Sequence, residues 1–290
     1  MLFSFSFLIP IFVGFVYEES SINIFISLMI GIFLVGCCSW VFTRKDGSDL
    51  SLSDGFIITV LFWLVLSLFG ALPFYFLGFS FVDSLFESMS GETATGATVF
   101  SGLDELDKSV LIYRQLLQWM GGMGLIVLAI AVMPLLGIGG GQLFKTQTPG
   151  AMSNQKLTPR ITNTARALWL IYLGLTILCL SSYKLAGMSF FDSFAHALST
   201  VSIGGFSTHD ASIGFFNNIN IEIVCMVFMI LSAINFSLHY GLIYRKQFLK
   251  YFYDPELRFF LSILFVITTV VCISLFTLTD IANPLRHGIF

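Results

Sequence analysis

Two six-residue stretches, Thr93-Ala94-Thr95-Gly96-Ala97-Thr98 and Ser202-Ile203-Gly204-Gly205-Phe206-Ser207, carry the residue types best suited to chemistry in this chain. That chemistry is the stripping of water from a cation. Small side chains around a central glycine let backbone carbonyls turn inward, since glycine reaches φ > 0 at no steric cost. Rings of such carbonyls replace the hydration shell of a monovalent cation. Neither stretch contains a basic residue, which argues against an anion. Each follows a short apolar segment, Phe81–Glu92 or Phe190–Val201. The helical C-terminus of such a segment aims a negative dipole end at whatever lies beyond it, again favouring a cation.

The elements that must position these stretches are duplicated. The nineteen residues Ser80–Thr98 recur 109 positions later as Ser189–Ser207, with Ser90 matching Ser199 and Gly96 matching Gly205 without a gap. Self-similarity at a long fixed offset marks a repeated structural unit. In membrane proteins, repeats with glycine-bearing interruptions mark where a transported species sits. About twelve helical residues cover roughly 18 Å, against about 30 Å of hydrocarbon, so Phe81–Glu92 is too short to cross. Yet Phe81, Leu85, Phe86 and Met89 are too apolar for a free loop. A half-depth helix that returns as extended chain satisfies both facts, and backbone of that kind must be enclosed by protein or line a watery cavity. Tight turns between ordinary spans would need neither a half-length apolar helix nor a duplication this faithful.

Composition sets the frame. Of 290 residues, 56% are hydrophobic and 11% charged, with a mean hydropathy of +0.89. Soluble domains carry about 25% charged residues. The fold class is therefore all-α, a polytopic membrane protein of repeated span, half-helix, return and span. Spans are expected near 3–17, 22–43, 55–78, 109–137, 166–187, 217–244 and 258–280. Arg44 and Lys45, then Lys145, Lys156, Arg160 and Arg166, then Arg245, Lys246, Lys250 and Arg258 fall in or beside three loops, which the positive-inside rule places in the cytoplasm. A net charge of −3 with dispersed basic residues gives no reason for a nucleic-acid partner. Cys37, Cys38, Cys179, Cys225 and Cys272 lack metal-ligand spacing and read as reduced, buried packing residues.

Gly137-Ile138-Gly139-Gly140-Gly141 lacks the Lys-Ser/Thr of a phosphate cradle and reads as a flexible helix end. Ser207, His209 and Asp210 lie too close together in one loop to converge as a nucleophile, base and acid; Asp210 fits better as a cation-concentrating group at an outer vestibule. An intramembrane enzyme finds no convergent set here. Gly121, Gly122 and Gly124 read as close helix-packing positions. Asn235 and His239, one turn apart in 217–244, would bond across helices or face a pore, with packing favoured. Glu87 and His196 hold equivalent half-helix positions, and a charge at depth costs about 2.5–3.5 kcal/mol unless it faces protein or water. Glu87 is expected to be buried behind the return segment, holding its shape.

The residues Phe86-Glu87-Ser88-Met89-Ser90-Gly91 with Thr95-Gly96-Ala97-Thr98, then Tyr113-Arg114-Gln115-Leu116-Leu117-Gln118-Trp119-Met120-Gly121-Gly122-Met123-Gly124, carry a family resemblance. Pro159-Arg160-Ile161, Leu168-Trp169-Leu170-Ile171-Tyr172 and Ile203-Gly204-Gly205-Phe206-Ser207-Thr208-His209-Asp210-Ala211-Ser212 extend it. From about residue 50 onward the chain resembles the Trk-type potassium-uptake subunits of the Trk/Ktr/HKT superfamily. The resemblance implies a multi-pass protein of the bacterial cytoplasmic membrane that takes up potassium, with no cofactor beside the transported ion. It implies four span–half-helix–span repeats, a homodimer and a cytoplasmic ring of nucleotide-binding regulatory subunits. Lys145, Lys156, Arg160 and Arg166 would contact that ring or anionic lipid, or form a solvated face. By position, the first filter falls on Ala94, Thr95 and Gly96, and the second on Ile203, Gly204 and Gly205. Ala94 stands where a threonine is commoner, and Glu92 is expected to add negative charge that deepens cation attraction. Residues 1–50 form an N-terminal two-helix region, 51–140 a first pore repeat, 141–250 a second, and 251–290 an incomplete third, with Asn283–Phe290 resembling the start of its half-helix. A truncated product, a fragment and a partner of another chain all fit. Truncation is favoured, because a stop inside a half-helix leaves unsatisfied backbone in lipid. A fragment that only assembles with, or competes for, a full-length partner is the rival reading.

Overall fold

The computed structural model describes residues 1–43, 52–132, 161–278 and 284–290. A 3₁₀ turn over Leu2–Phe7 runs into α1 (Leu8–Tyr17), then α2 (Ile22–Thr43), α3 (Leu52–Phe76), the half-length α4 (Phe81–Glu92) and α5 (Lys108–Val132). The second unit repeats the pattern with α6 (Ile161–Leu185), the half-length α7 (Phe190–Val201) and α8 (Ile219–Ala233). It continues through α9 (Phe236–Arg245), α10 (Phe248–Tyr253), α11 (Pro255–Leu278) and α12 (Pro284–Ile289). Among the described residues there is no strand. Among the described residues, three helices are long and apolar enough to cross a membrane, Ile22–Thr43, Arg166–Leu185 and Pro255–Thr277, and a bent pair makes a fourth if counted as one span.

The half-helices begin where their sequence dictates. Ser80 Oγ accepts a hydrogen bond from Asp83 N at 3.1 Å, and Ser189 Oγ accepts one from Asp192 N at 3.0 Å. Each serine also donates to its aspartate carboxylate, at 2.7 and 2.6 Å. A capping serine replaced by alanine costs about 1 kcal/mol. Ser80→Ala and Ser189→Ala are each expected to lower the thermal unfolding midpoint of the purified protein; unchanged midpoints in both would show that the caps contribute nothing.

Two apolar cores flank α5. The first gathers Phe7, Phe25, Phe74, Phe100 and Tyr113; the second gathers Tyr172, Tyr183, Met188, Ile221 and Phe228. Trp119 packs against both, donates from Nε1 to Thr176 Oγ1 at 3.0 Å, and accepts at its carbonyl from Tyr172 OH at 3.0 Å. The first turn of α5 is held by Glu19, whose carboxylate accepts from Lys108 N at 2.6 Å and Ser109 N at 2.9 Å. That satisfies two of the helix's orphan donors. α5 is thus the wall shared by the two units.

Several expected elements are corrected. The span at 3–17 divides into the 3₁₀ turn and the ten-residue α1. The span at 217–244 is broken, its two halves bent by 91°. Ile234 adopts extended backbone, ending α8. The ring of His239 then lies 2.8 Å from the freed carbonyl of Leu231 and fills a role a helical N–H would otherwise take. His239 is buried at this break, in the helix that begins just after Asn235. Of the cysteines, Cys179 and Cys225 are buried, whereas Cys38 is exposed on α2; all five are free thiols. Arg44, Lys45, Gly137–Gly141, Lys145, Lys156 and Arg160 lie outside the described residues.

Candidate ion-coordination site

Both half-helices unwind in the same way. Thr93 N, Ala94 N and Thr95 N donate to the carbonyls of Met89, Gly91 and Ser90, each at 2.9 Å. Their counterparts Ser202 N, Ile203 N and Gly204 N donate to Leu198, Thr200 and Ser199 at 3.3, 3.1 and 2.9 Å. The backbone then alternates in sign. φ is +51° at Ala94 and +76° at Gly96, +56° at Ile203 and +86° at Gly205, while Thr95 and Gly204 are not positive. Such alternation turns successive peptide groups toward one side. A left-handed residue other than glycine costs about 1–2 kcal/mol, and a β-branched one is a genuine outlier. The matched strain at Ala94 and Ile203 is of the kind held at functional sites by surrounding structure.

The two return segments meet. A Cβ added at Gly96 would strike the carbonyl oxygen of Gly204, and would lie 3.0 Å from that carbonyl's carbon and 3.5 Å from Gly205 Cα. Thr95, Ile203 and Gly205 are exposed, Ala94 and Gly96 half-buried, and Gly204 buried. The contact of Gly96 with Gly204 and Gly205 brings the two return segments together. Among the described residues, no three His, Cys, Asp or Glu side chains converge as a metal site.

Behind the segments lies a polar layer that sequence reasoning only half anticipated. Glu87 is fully buried, and its carboxylate accepts from Thr98 Oγ1 at 2.9 and 3.0 Å and from Val99 N at 3.2 Å. Its counter-charge is Arg114 of α5, fully buried, with Nε 2.7 Å and Nη2 2.6 Å from Glu87 Oε1. Arg114 reaches further. Nη1 donates to Ser207 O and Nη2 to Thr98 Oγ1, both at 3.1 Å, so one guanidinium ties both return segments. Its plane also lies 4.4 Å from the centroid of the Phe206 ring. In the second unit His196 takes the place of Glu87, its Nε2 lying 3.0 Å from Ser207 Oγ. The signal for Arg114 was available: a basic residue inside a spanning run needs a partner at the same depth.

Two expectations are revised here. Glu92 is 3% exposed and turns back to α3, where Oε2 accepts from Ser67 Oγ at 2.9 Å. Helical periodicity puts Glu92 on the same face as Ser88, beside Gly70. Of the small-residue run, Gly121 lies against the carbonyl of Glu92 and Gly122 against Tyr172 OH and Ser202, whereas Gly124 has nothing nearer than Trp63 at 4.0 Å. Gly121 admits the end of one half-helix, and Gly122 admits both the end of the other and Tyr172 of α6.

On the outer side, His209 stacks on Phe215 at 3.5 Å between centroids and pairs through Nδ1 with Asp104 of the first unit. Its Nε2 lies 3.4 Å from Asp192 Oδ1 without hydrogen-bond alignment. Asp210 Oδ2 accepts from Leu103 N at 3.1 Å, closing the same seam. Ser207, His209 and Asp210 thus point to three different partners. The hydrogen bond from His209, more than any other influence, holds the Asp104 carboxyl below its usual range. A depressed carboxyl stabilises the fold above its unfolded-state pKa, and that contribution disappears as pH falls through the folded value. Acidification below the ordinary aspartate range is therefore expected to loosen this seam, read as a fall in unfolding midpoint that Asp104→Asn abolishes. An identical acid profile in Asp104→Asn would exclude it.

The model of the TrkH cation transport proteins matches residues 20–287. The chain belongs to that family. It is 44% identical to the Trk system potassium uptake protein TrkH of Halomonas elongata, over all of this chain and 61% of that one. It is also 44% identical to the Trk system potassium uptake protein TrkG of Escherichia coli K12, over all of this chain and 60% of that one. The crystal structure of the potassium transporter TrkH from Vibrio parahaemolyticus superposes with a TM-score of 0.86 at 42% identity, covering 99% of this chain and 60% of that one. The chain spans about three-fifths of the length of these relatives. It is a helical membrane protein of the Trk family.

Proposed function

We propose that this chain takes part in potassium uptake across the bacterial cytoplasmic membrane as ion-conducting material of a Trk-type system. Peptide carbonyls of Ala94, Thr95, Gly96, Ile203, Gly204 and Gly205 coordinate the ion. The observation that carries this reading is the meeting of two return segments with the same alternating φ, at the ends of two half-helices. Names of the relatives as potassium uptake proteins support the choice of ion. The half-helix C-termini add negative dipole ends, and a buried Glu87–Arg114 pair, neutral overall, holds the carbonyls in place. Conduction runs down the membrane potential, worth about 2.3 kcal/mol per charge per 100 mV.

On this reading residues 51–140 and 141–250 are the first and second pore repeats, after a two-helix region at 1–50. Residues 251–290 open a third repeat, with α12 folded back so that Gly288 lies against Cys272. A homodimer and a cytoplasmic nucleotide-binding ring complete the assembly, and the protein is a transporter rather than an enzyme. Expression in a potassium-uptake-deficient bacterium is expected to restore growth at low potassium and rubidium uptake. Membrane insertion without rescue would overturn conduction by this chain on its own.

A further inference from the structure

Gln118 of α5 is fully buried, and its Oε1 accepts two hydrogen bonds, from Phe206 N at 3.1 Å and Ser199 Oγ at 2.9 Å. A backbone N–H only donates, so the side-chain amide must present its oxygen to Phe206. The peptide group joining Gly205 to Phe206 is planar and trans, so its C=O points opposite to its N–H. Pulling that N–H back toward α5 therefore turns the Gly205 carbonyl to the far side of the segment. Gly205 is itself exposed, and nothing lies within 4 Å of the direction a Cβ would take there. Rotating this peptide would change ψ at Gly205 and φ at Phe206, and the bond from Phe206 N to Gln118 opposes that rotation.

The same amide explains Gly204, whose φ is not positive. A Cβ there would strike the carboxamide of Gln118, reaching 2.8 Å from Nε2. The first return segment has no such post: Ser90, the counterpart of Ser199, donates instead to Ala97 O at 2.6 Å. We propose that Gln118 is a positioning residue that locks the Gly205 carbonyl toward the ion path and so sets the preference for potassium over sodium in the second segment. This rests on the reading of the segments as coordinating, and adds a determinant that lies outside them.

The test is thermal unfolding of the purified protein in lipid nanodiscs, titrated with potassium or sodium at constant ionic strength. A ligand that binds the native state raises the midpoint as its concentration passes Kd. Wild-type protein is expected to be stabilised by potassium in preference to sodium. In Gln118→Met the half-saturating potassium concentration is expected to rise about tenfold, the scale of one lost hydrogen bond, with sodium little changed. Gln118→Glu, which keeps an acceptor oxygen, and Ser199→Ala, which keeps the Phe206 bond, are expected to retain the wild-type preference. A purely structural Gln118 would lower the ion-free midpoint and leave the potassium titration in place, and that result overturns the proposal. If Gln118→Met does not fold, Gln118→Glu decides alone: a potassium preference like that of wild type supports the lock and its loss refutes it. Absence of any potassium-selective stabilisation in wild type would instead bring down the coordinating reading, and the lock with it.

Discussion

Replacing Arg114 with methionine is expected to destabilise the protein by about 3–5 kcal/mol, the cost of leaving a buried charge unpaired. Glu87 would keep its hydrogen bonds from Thr98 and Val99 and lose the counter-charge of Arg114. Ser207 O and Thr98 Oγ1 would each lose a charged donor as well. The loss is not local, because the guanidinium joins Thr98 of the first segment to Ser207 of the second. Unfolding midpoints and denaturant curves in one detergent measure it. A double variant, Glu87→Gln with Arg114→Met, is expected to lose less than the two single changes together, since it strands no charge; non-additivity of this sort is diagnostic of direct coupling. His196→Ala in the second unit breaks a neutral contact to Ser207 and is expected to cost less than Arg114→Met. A loss below about 1 kcal/mol in Arg114→Met would mean that the pair is dispensable and that the segments are held by packing alone.

The half-helices were legible because two independent constraints coincide on them: an apolar length too short to span, and a gapless duplicate. α4 and α7 fall on Phe81–Glu92 and Phe190–Val201, the expected bounds. Nothing comparable marks the break after α8. Ser232-Ala233-Ile234-Asn235 contains neither proline nor glycine, and the interruption depends on His239 reaching back to Leu231. That is tertiary override of an apolar run, invisible to periodicity. The direction of a side chain was equally hidden. Glu92 follows the face of α4 that meets Ser67 and Gly70, and only the placement of α3 reveals which face that is. Duplication also misled in one respect. It equates Ser90 with Ser199, yet Ser90 bonds its own return segment while Ser199 bonds Gln118 of α5. α5 comes after one half-helix and before the other, so it cannot treat both alike. Asymmetry of this kind is set by what stands between the repeats, not by the repeats.

Gly96→Ala is expected to abolish potassium-selective stabilisation, whereas Gly205→Ala is expected to weaken it only in part. Both glycines have positive φ, +76° and +86°, so an alanine at either carries the left-handed penalty of about 1–2 kcal/mol. The surroundings separate them. A methyl at Gly205 enters open space, but one at Gly96 runs into the Gly204 carbonyl. Backbone has no rotamer by which to yield, so one segment must move away from the other. Gly204 in turn is backed by the Gln118 amide and cannot retreat, which leaves the first segment to shift. Separation of the segments would undo the shared locus, whatever each retains on its own. Potassium and sodium titrations of the unfolding midpoint, run on both variants beside wild type, read the difference. Equal effects of the two substitutions would show that strain in φ, rather than the contact between Gly96 and Gly204, governs the site.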